Sequence, residues 1–152
     1  MKKILIIIVL IGATCSLYSQ NKTIKGRVID DDLETLSYVQ IVINDTVKVG
    51  RTDLNGFSQI DIPFSVKKLL FRDVGMEPAS IELADSCDEV EVVMMLWVTY
   101  DFMTFKRIDK LRMKSFKKLP ELHKEAFEKG IFKTDKACYT QEFIPRYKKK
   151  QK

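Results

Sequence analysis

Few residues in this chain are suited to chemistry. It holds three cysteines and a single histidine. Cys138 and His123 are the types needed for a thiolate nucleophile and its base, and Asp135 or Glu142 is the type that orients such an imidazole. Their spacing matches no nucleophile motif, and His123, set between Leu122 and Lys124, reads as a surface residue. A zinc centre needs more His or Cys than the chain has. Oxygen ligands for a cation occur twice, in the acidic run Asp30-Asp31-Asp32-Leu33-Glu34 and at Asp53 and Asn55. Calcium loops require further carboxylates at fixed spacing, so the first reads as a solvated acidic loop and the second as a turn. No metal, cofactor or catalytic centre is expected, and the chain is read as not an enzyme.

The elements that would position these residues are mostly strands. In Thr52-Asp53-Leu54-Asn55-Gly56-Phe57, the Asn-Gly pair tolerates φ > 0 and the Asp53 carboxylate can accept from backbone N–H groups ahead of it. This stretch reads as a tight turn between a third strand, Thr46 to Arg51, and a returning strand, Phe57 to Ile62, whose apolar positions alternate. Pro63 ends that strand because it lacks the ladder N–H. Thr23 to Ile29 alternates as a first strand, and Tyr38 to Ile43 is β-branched and forms a second. Further strands are expected at Lys68 to Phe71, Ser80 to Leu83 and Glu89 to Leu96. About seven short strands with turn signals between them predict an antiparallel sandwich over residues 20–97.

The chain of 152 residues has a formal net charge of +5, but the charge is unevenly placed. Residues 20–97 carry 8 Lys/Arg against 14 Asp/Glu, whereas residues 98–152 carry 16 against 7. An acidic domain is followed by a basic one. Lys2-Lys3, the apolar run Ile4 to Ile11 and the small or polar stretch Gly12 to Ser19 read as an export signal over 1–19, leaving Gln20 first after cleavage. Cys15 offers a rival reading as a lipidated cysteine. In an oxidising compartment Cys87 and Cys138 either pair, pinning the C-terminal part to the β-domain, or stay as separate thiols.

After Trp97 the period becomes helical. Phe102, Phe105, Ile108, Leu111 and Phe116 predict an amphipathic helix from about Tyr100 to Lys118, N-capped by Asp101, with its aromatic stripe read as core and, alternatively, as a membrane-facing or ligand-binding face. Pro120 and Gly130 bracket a second helix, Glu121 to Lys129, burying Leu122, Ala126 and Phe127. Cys138 to Pro145 reads as extended or irregular. Tyr147 to Lys152 reads as a disordered basic tail, so the basic helical extension is 98–146. The row Lys106, Arg107, Lys110, Lys114, Lys117 and Lys118 forms a candidate binding face. No nucleic-acid recognition module is evident.

Gly26-x-Val28-x-Asp30, Val39-x-Ile41, Thr52-Asp53-x-Asn55-Gly56-Phe57 and Val74-Gly75-Met76, in this order, resemble the carboxypeptidase regulatory-like domain over about residues 22–96. Met76 departs from the aromatic residue common in that family after Gly75. The resemblance implies a seven-stranded transthyretin-like sandwich with no catalysis of its own, found in exported proteins of Gram-negative bacteria. The expectation is a non-enzymatic binding or structural module of the periplasm or outer membrane. Its partner would be an envelope protein, a glycan or an anionic lipid surface. A membrane-peripheral lipoprotein is the alternative, and a small Cys/His enzyme a remoter one.

Overall fold

The computed structural model describes residues 21–146. The export signal, Cys15 and the tail 147–152 therefore lie outside the described residues. The chain is mainly β. Its strands are β1 (Asn21–Asp30), β2 (Gln40–Ile43), β3 (Val47–Arg51), β4 (Phe57–Pro63), β5 (Lys68–Arg72), β6 (Ala79–Leu83), β7 (Glu89–Met94) and β8 (Tyr139–Glu142). Helices α1 (Phe105–Phe116) and α2 (Leu119–Glu128) lie between β7 and β8. One sheet has three strands in the order β4-β1-β7, and the other has five in the order β3-β2-β5-β6-β8.

The two sheets share one apolar core. Ile24 and Val28 of β1, Ile41 of β2, Ile60 and Ile62 of β4, Leu69 and Phe71 of β5, Ile81 of β6 and Val90, Val92 and Met94 of β7 are all buried in it. Period-two alternation delivers these side chains to one face of each strand. Strand β7 departs from that pattern because both of its faces are covered. Val93 and Met95 point the other way, into a second cluster with Ile29, Leu119, Ala126 and Phe132. The apolar ending of β7 in the sequence is therefore the imprint of α2 packed on the outer face of the smaller sheet.

Several expectations are corrected by this arrangement. Beyond β1 to β7 within residues 20–97, the described residues hold an eighth strand, since β8 pairs antiparallel with β6 from Ser80↔Glu142 to Leu83↔Tyr139. The C-terminal part is thus not only helical, for it supplies the edge of the larger sheet. The ladders are not all antiparallel either, because β1 and β7 run parallel from Lys25↔Glu89 to Asp30↔Met94. The Asn55-Gly56 turn does not close a hairpin. Strand β3 pairs with β2 and β4 pairs with β1, so the turn carries the chain from one sheet to the other. The strands it joins face each other across the core, where a Cβ on Gly50 would come within 2.5 Å of Ile60 Cγ2.

The first helix begins at Phe105 with Thr104 at its N-cap, not at Tyr100 with Asp101. Phe102 has φ 60°, a left-handed conformation that a helix cannot include. Phe102 and Phe105 are exposed instead of packing in the core, and Ile108 and Arg112 are the buried residues of α1. In α2, Pro120 sits in the first turn and Gly130, at φ 71°, follows the end. The buried residues there are Leu119, His123 and Ala126, whereas Phe127 is exposed.

Candidate functional site

The motif residues of the β-domain serve the fold. The Asp53 carboxylate accepts from the N–H groups of Asn55 at 2.8 Å and Phe57 at 2.9 Å. Gly56 has φ 75°, and its carbonyl accepts from Val28 N–H at 2.9 Å. Thr52, buried, accepts from Val39 N–H and donates to the Leu36 carbonyl, each at 2.9 Å. Gly26 lies in the middle of β1 between β4 and β7. Gly75 turns the chain after β5, and its carbonyl accepts from Trp97 N–H at 2.8 Å. In the acidic run, Asp30 accepts from the N–H groups of Asp32 and Glu34 at 3.0 and 2.8 Å. No group of three or more potential metal ligands comes together among the described residues.

A buried ionic cluster fixes α1 to the loop after β5. Glu77 and Arg112 have 3% and 6% of their surfaces exposed. Arg112 Nε donates to both Glu77 carboxylate oxygens at 2.6 and 2.8 Å, and Nη1 donates to Asp109 at 2.6 Å. Arg112 Nη2 donates to the Ile144 carbonyl at 3.0 Å. Arg146 adds a second cation, donating to Glu77 at 3.0 Å while its guanidinium covers the Trp97 ring at 3.6 Å from the centroid. Burial would lower the Arg112 pKa, but the hydrogen bonds it donates to Glu77 and Asp109 outweigh it and hold the group above its ordinary value. Two acids and two arginines thus join the loop after β5, helix α1 and the segment after β8.

The six basic residues proposed as a face, Lys106, Arg107, Lys110, Lys114, Lys117 and Lys118, are all exposed. None of them forms an ion pair with another described residue. Phe102 and Phe105, at the start of α1, are exposed as well.

The candidate Cys/His assembly is not formed. Cys138 is bonded to Cys87 with a Cα–Cα distance of 5.4 Å, so its sulfur is not a free thiolate. This pairing ties the start of β8 to the turn before β7. Glu142 is engaged with Lys68 and with the Ser80 hydroxyl and does not reach toward the imidazole. His123 is not a surface residue: only 4% of it is exposed, and its ring packs 4.8 Å from that of Phe132. Burial lowers its pKa below the ordinary imidazole value, against the charge of Glu91, backbone hydrogen bonds with Thr134 and Glu91, and the charge of Asp135. Among the described residues its Nε2 has no hydrogen-bond partner.

His123 and Asp135 line one cavity of about 590 Å³ between the two helices and the approach to β8. Val93, Phe116, Leu119 and Tyr139 supply apolar wall, and Lys117 and Lys136 stand at its margin. The wall is fixed from below. Glu91, buried on β7, accepts from the hydroxyl of Thr134 at 2.7 Å, and the Tyr139 hydroxyl donates to the Glu91 carbonyl at 2.6 Å. Burial holds that phenol above its usual pKa.

Glu77, Arg112 and Arg146 were not legible as site residues in the sequence. One signal was present: Arg112 falls between Ile108 and Phe116 at helical spacing, on the face that packs inward. An arginine in the middle of an apolar stripe calls for a buried acid.

No protein-family model matches this chain. No curated protein matches it either.

Proposed function

We propose that this chain is a non-enzymatic, exported module of the cell envelope that works by surface recognition, with α1 presented to an anionic lipid surface. The single observation that carries this reading is the division of charge on α1. Its one inward arginine, Arg112, is consumed by Glu77 and Asp109. Lys106, Arg107, Lys110 and Lys114 on the helix, and Lys117 and Lys118 just after it, all face solvent. A helix locked in place by an internal pair presents its remaining charges at fixed positions, and basic side chains near an anionic bilayer contribute about 1 kcal/mol each. Exposed Phe102 and Phe105 adjoin the row and suit the headgroup boundary.

The motifs Thr52-Asp53-x-Asn55-Gly56-Phe57 and Val74-Gly75-Met76 support a carboxypeptidase regulatory-like domain with a transthyretin-like sandwich, here enlarged by β8. The disulfide between Cys87 and Cys138 suits an oxidising compartment. The periplasm or the periplasmic face of the outer membrane is the proposed location, reached through the signal at 1–19. Export with Cys15 lipidated would strengthen the same membrane contact.

The test is co-sedimentation with vesicles containing phosphatidylglycerol, compared with vesicles of phosphatidylcholine alone. The protein is expected to sediment with the first, less so at high salt. The variant K106E/R107E/K110E/K114E is expected to stay in the supernatant. Equal sedimentation of the variant would overturn this reading.

A further inference from the structure

The cavity between α1, α2 and the approach to β8 has features that the surface-recognition reading does not use. Its volume of about 590 Å³ falls within the range of roughly 300–1,000 Å³ typical of small-molecule sites. Its walls are largely apolar, from Val93, Phe116, Leu119 and Tyr139. Its polar groups are few. His123, 96% buried by its 4% exposure, lines it with an Nε2 that has no partner among the described residues. A buried ring nitrogen left without a partner costs free energy comparable to a lost hydrogen bond. That cost is recovered when a bound molecule supplies a polar atom.

The charges at the margin select the sign of that molecule. Lys117 and Lys136 line the cavity together with Asp135, two cations against one anion, while the Glu91 carboxylate whose charge reaches His123 is already engaged by the Lys133 and Thr134 N–H groups and the Thr134 hydroxyl. The lining therefore combines an apolar body, one buried hydrogen-bonding nitrogen and a net positive rim. A cation would meet two ammonium groups, and a wholly apolar molecule would leave Nε2 unpaired. We infer that this cavity is a binding site for a single-chain amphiphile ending in a carboxylate, with its chain against Val93, Phe116 and Leu119 and its head shared by His123 and the lysines.

The site is distinct from the exposed row on α1, although Lys117 belongs to both. It can therefore be tested separately from vesicle binding. His123 is the only histidine in the chain, so its imidazole resonances need no assignment. The oxidised protein is titrated with dodecanoate, following the histidine ring by NMR and the heat by calorimetry. A saturable shift of the ring resonance is expected, with dodecanol binding about tenfold more weakly and dodecyltrimethylammonium more weakly still. Ala137, an exposed residue on the cavity wall, provides the blocking variant. Ala137→Trp is expected to weaken dodecanoate binding about tenfold or more while the β-sheet circular dichroism is kept. Lys136→Glu on the exposed rim is a second variant for use if the first does not fold. It is expected to weaken dodecanoate binding and leave dodecanol binding unchanged.

An unmoved histidine resonance at saturating dodecanoate would overturn the inference. So would undiminished binding in a folded Ala137→Trp protein, or in Lys136→Glu where that variant replaces it. The variant K106E/R107E/K110E/K114E separates the two readings, since it is expected to lose vesicle binding and retain dodecanoate. Failure of vesicle binding in the unmodified protein, with dodecanoate still shifting His123, would remove the surface reading and leave this one standing.

Discussion

Arg112 reaches Glu77 from the middle of α1, across 35 residues of sequence, and holds both carboxylate oxygens with Nε at 2.6 and 2.8 Å. The pair is almost wholly buried. Removing one partner leaves a buried charge uncompensated, which costs about 3–5 kcal/mol. Arg112→Ala and Glu77→Ala are each expected to lower the unfolding free energy by that amount, read from a lowered urea midpoint at unchanged m. The double variant Glu77→Met/Arg112→Met is expected to lose much less than the sum, because neither the Glu77 nor the Arg112 charge is then left buried without the other. Additive losses in this cycle would show that the residues act independently. Arg112→Lys is expected to fail as a replacement, since a point ammonium cannot supply the fork of donors.

Cys87 and Cys138 are 51 residues apart, and their bond constrains the unfolded chain. The loop-closure relation gives about 4 kcal/mol for a loop of this length. The Cys87→Ala/Cys138→Ala variant is expected to lose stability of that order in denaturant unfolding. Hydrogen exchange should show the loss first at β8, whose backbone pairs only with β6. Uniform loss of protection across all strands would instead mean that β8 and the sheets open as one unit.

His123 gives the fold an acid-sensitive joint. Its folded pKa is lowered mainly by burial, with Glu91 and Asp135 opposing and Lys117 and Lys136 also lining the cavity. The unfolded chain therefore binds this proton more readily than the folded chain. The stability tied to the neutral ring is fully present above pH 6.5 and is lost as pH falls through the folded pKa. The denaturant midpoint is expected to begin dropping below pH 6.5, before ordinary carboxylates titrate near 4.5. His123→Phe should flatten that part of the profile. An unchanged slope in the variant would assign the titration to another group.

Gly56 and Gly75 both have positive φ, 75° and 82°, but their surroundings differ. A Cβ on Gly56 would lie 2.7 Å from the Val28 carbonyl oxygen, whereas one on Gly75 would meet nothing within 4 Å. Gly75→Ala is expected to cost about 1 kcal/mol, the backbone term alone. Gly56→Ala should cost about 3 kcal/mol or more, since backbone must shift as well. Equal thermal melts for the two variants would contradict this contrast.

The sheets were largely legible because each strand carries its own evidence. Alternation in Phe57 to Ile62 and β-branched content in Tyr38 to Ile43 are local properties, and those strands form within two residues of the expected bounds. The helical period after Trp97 also holds, from Ile108 onward. The candidate site was much less legible. His123 looks like a surface residue beside Lys124, and only the packing of α2 on β7 buries it. Phe102 and Phe105 look like core at helical spacing, yet the left-handed turn at Phe102 leaves both outside.

By itself the sequence determined what depends on neighbours along the chain: strand positions, the Asp53-Asn55-Gly56 turn, two helices and a basic C-terminal half. Tertiary structure alone decided which sheet each strand joins. A turn such as Asn55-Gly56 permits either a hairpin or a crossing, and the choice rests on whether Phe57 to Ile62 finds β3 or β1. It also decided that β8 extends the larger sheet, that Arg112 meets Glu77, and that one side of His123 opens on a cavity. These are contacts between residues far apart in sequence, and their energies appear only when chain folding brings the partners within a few ångströms.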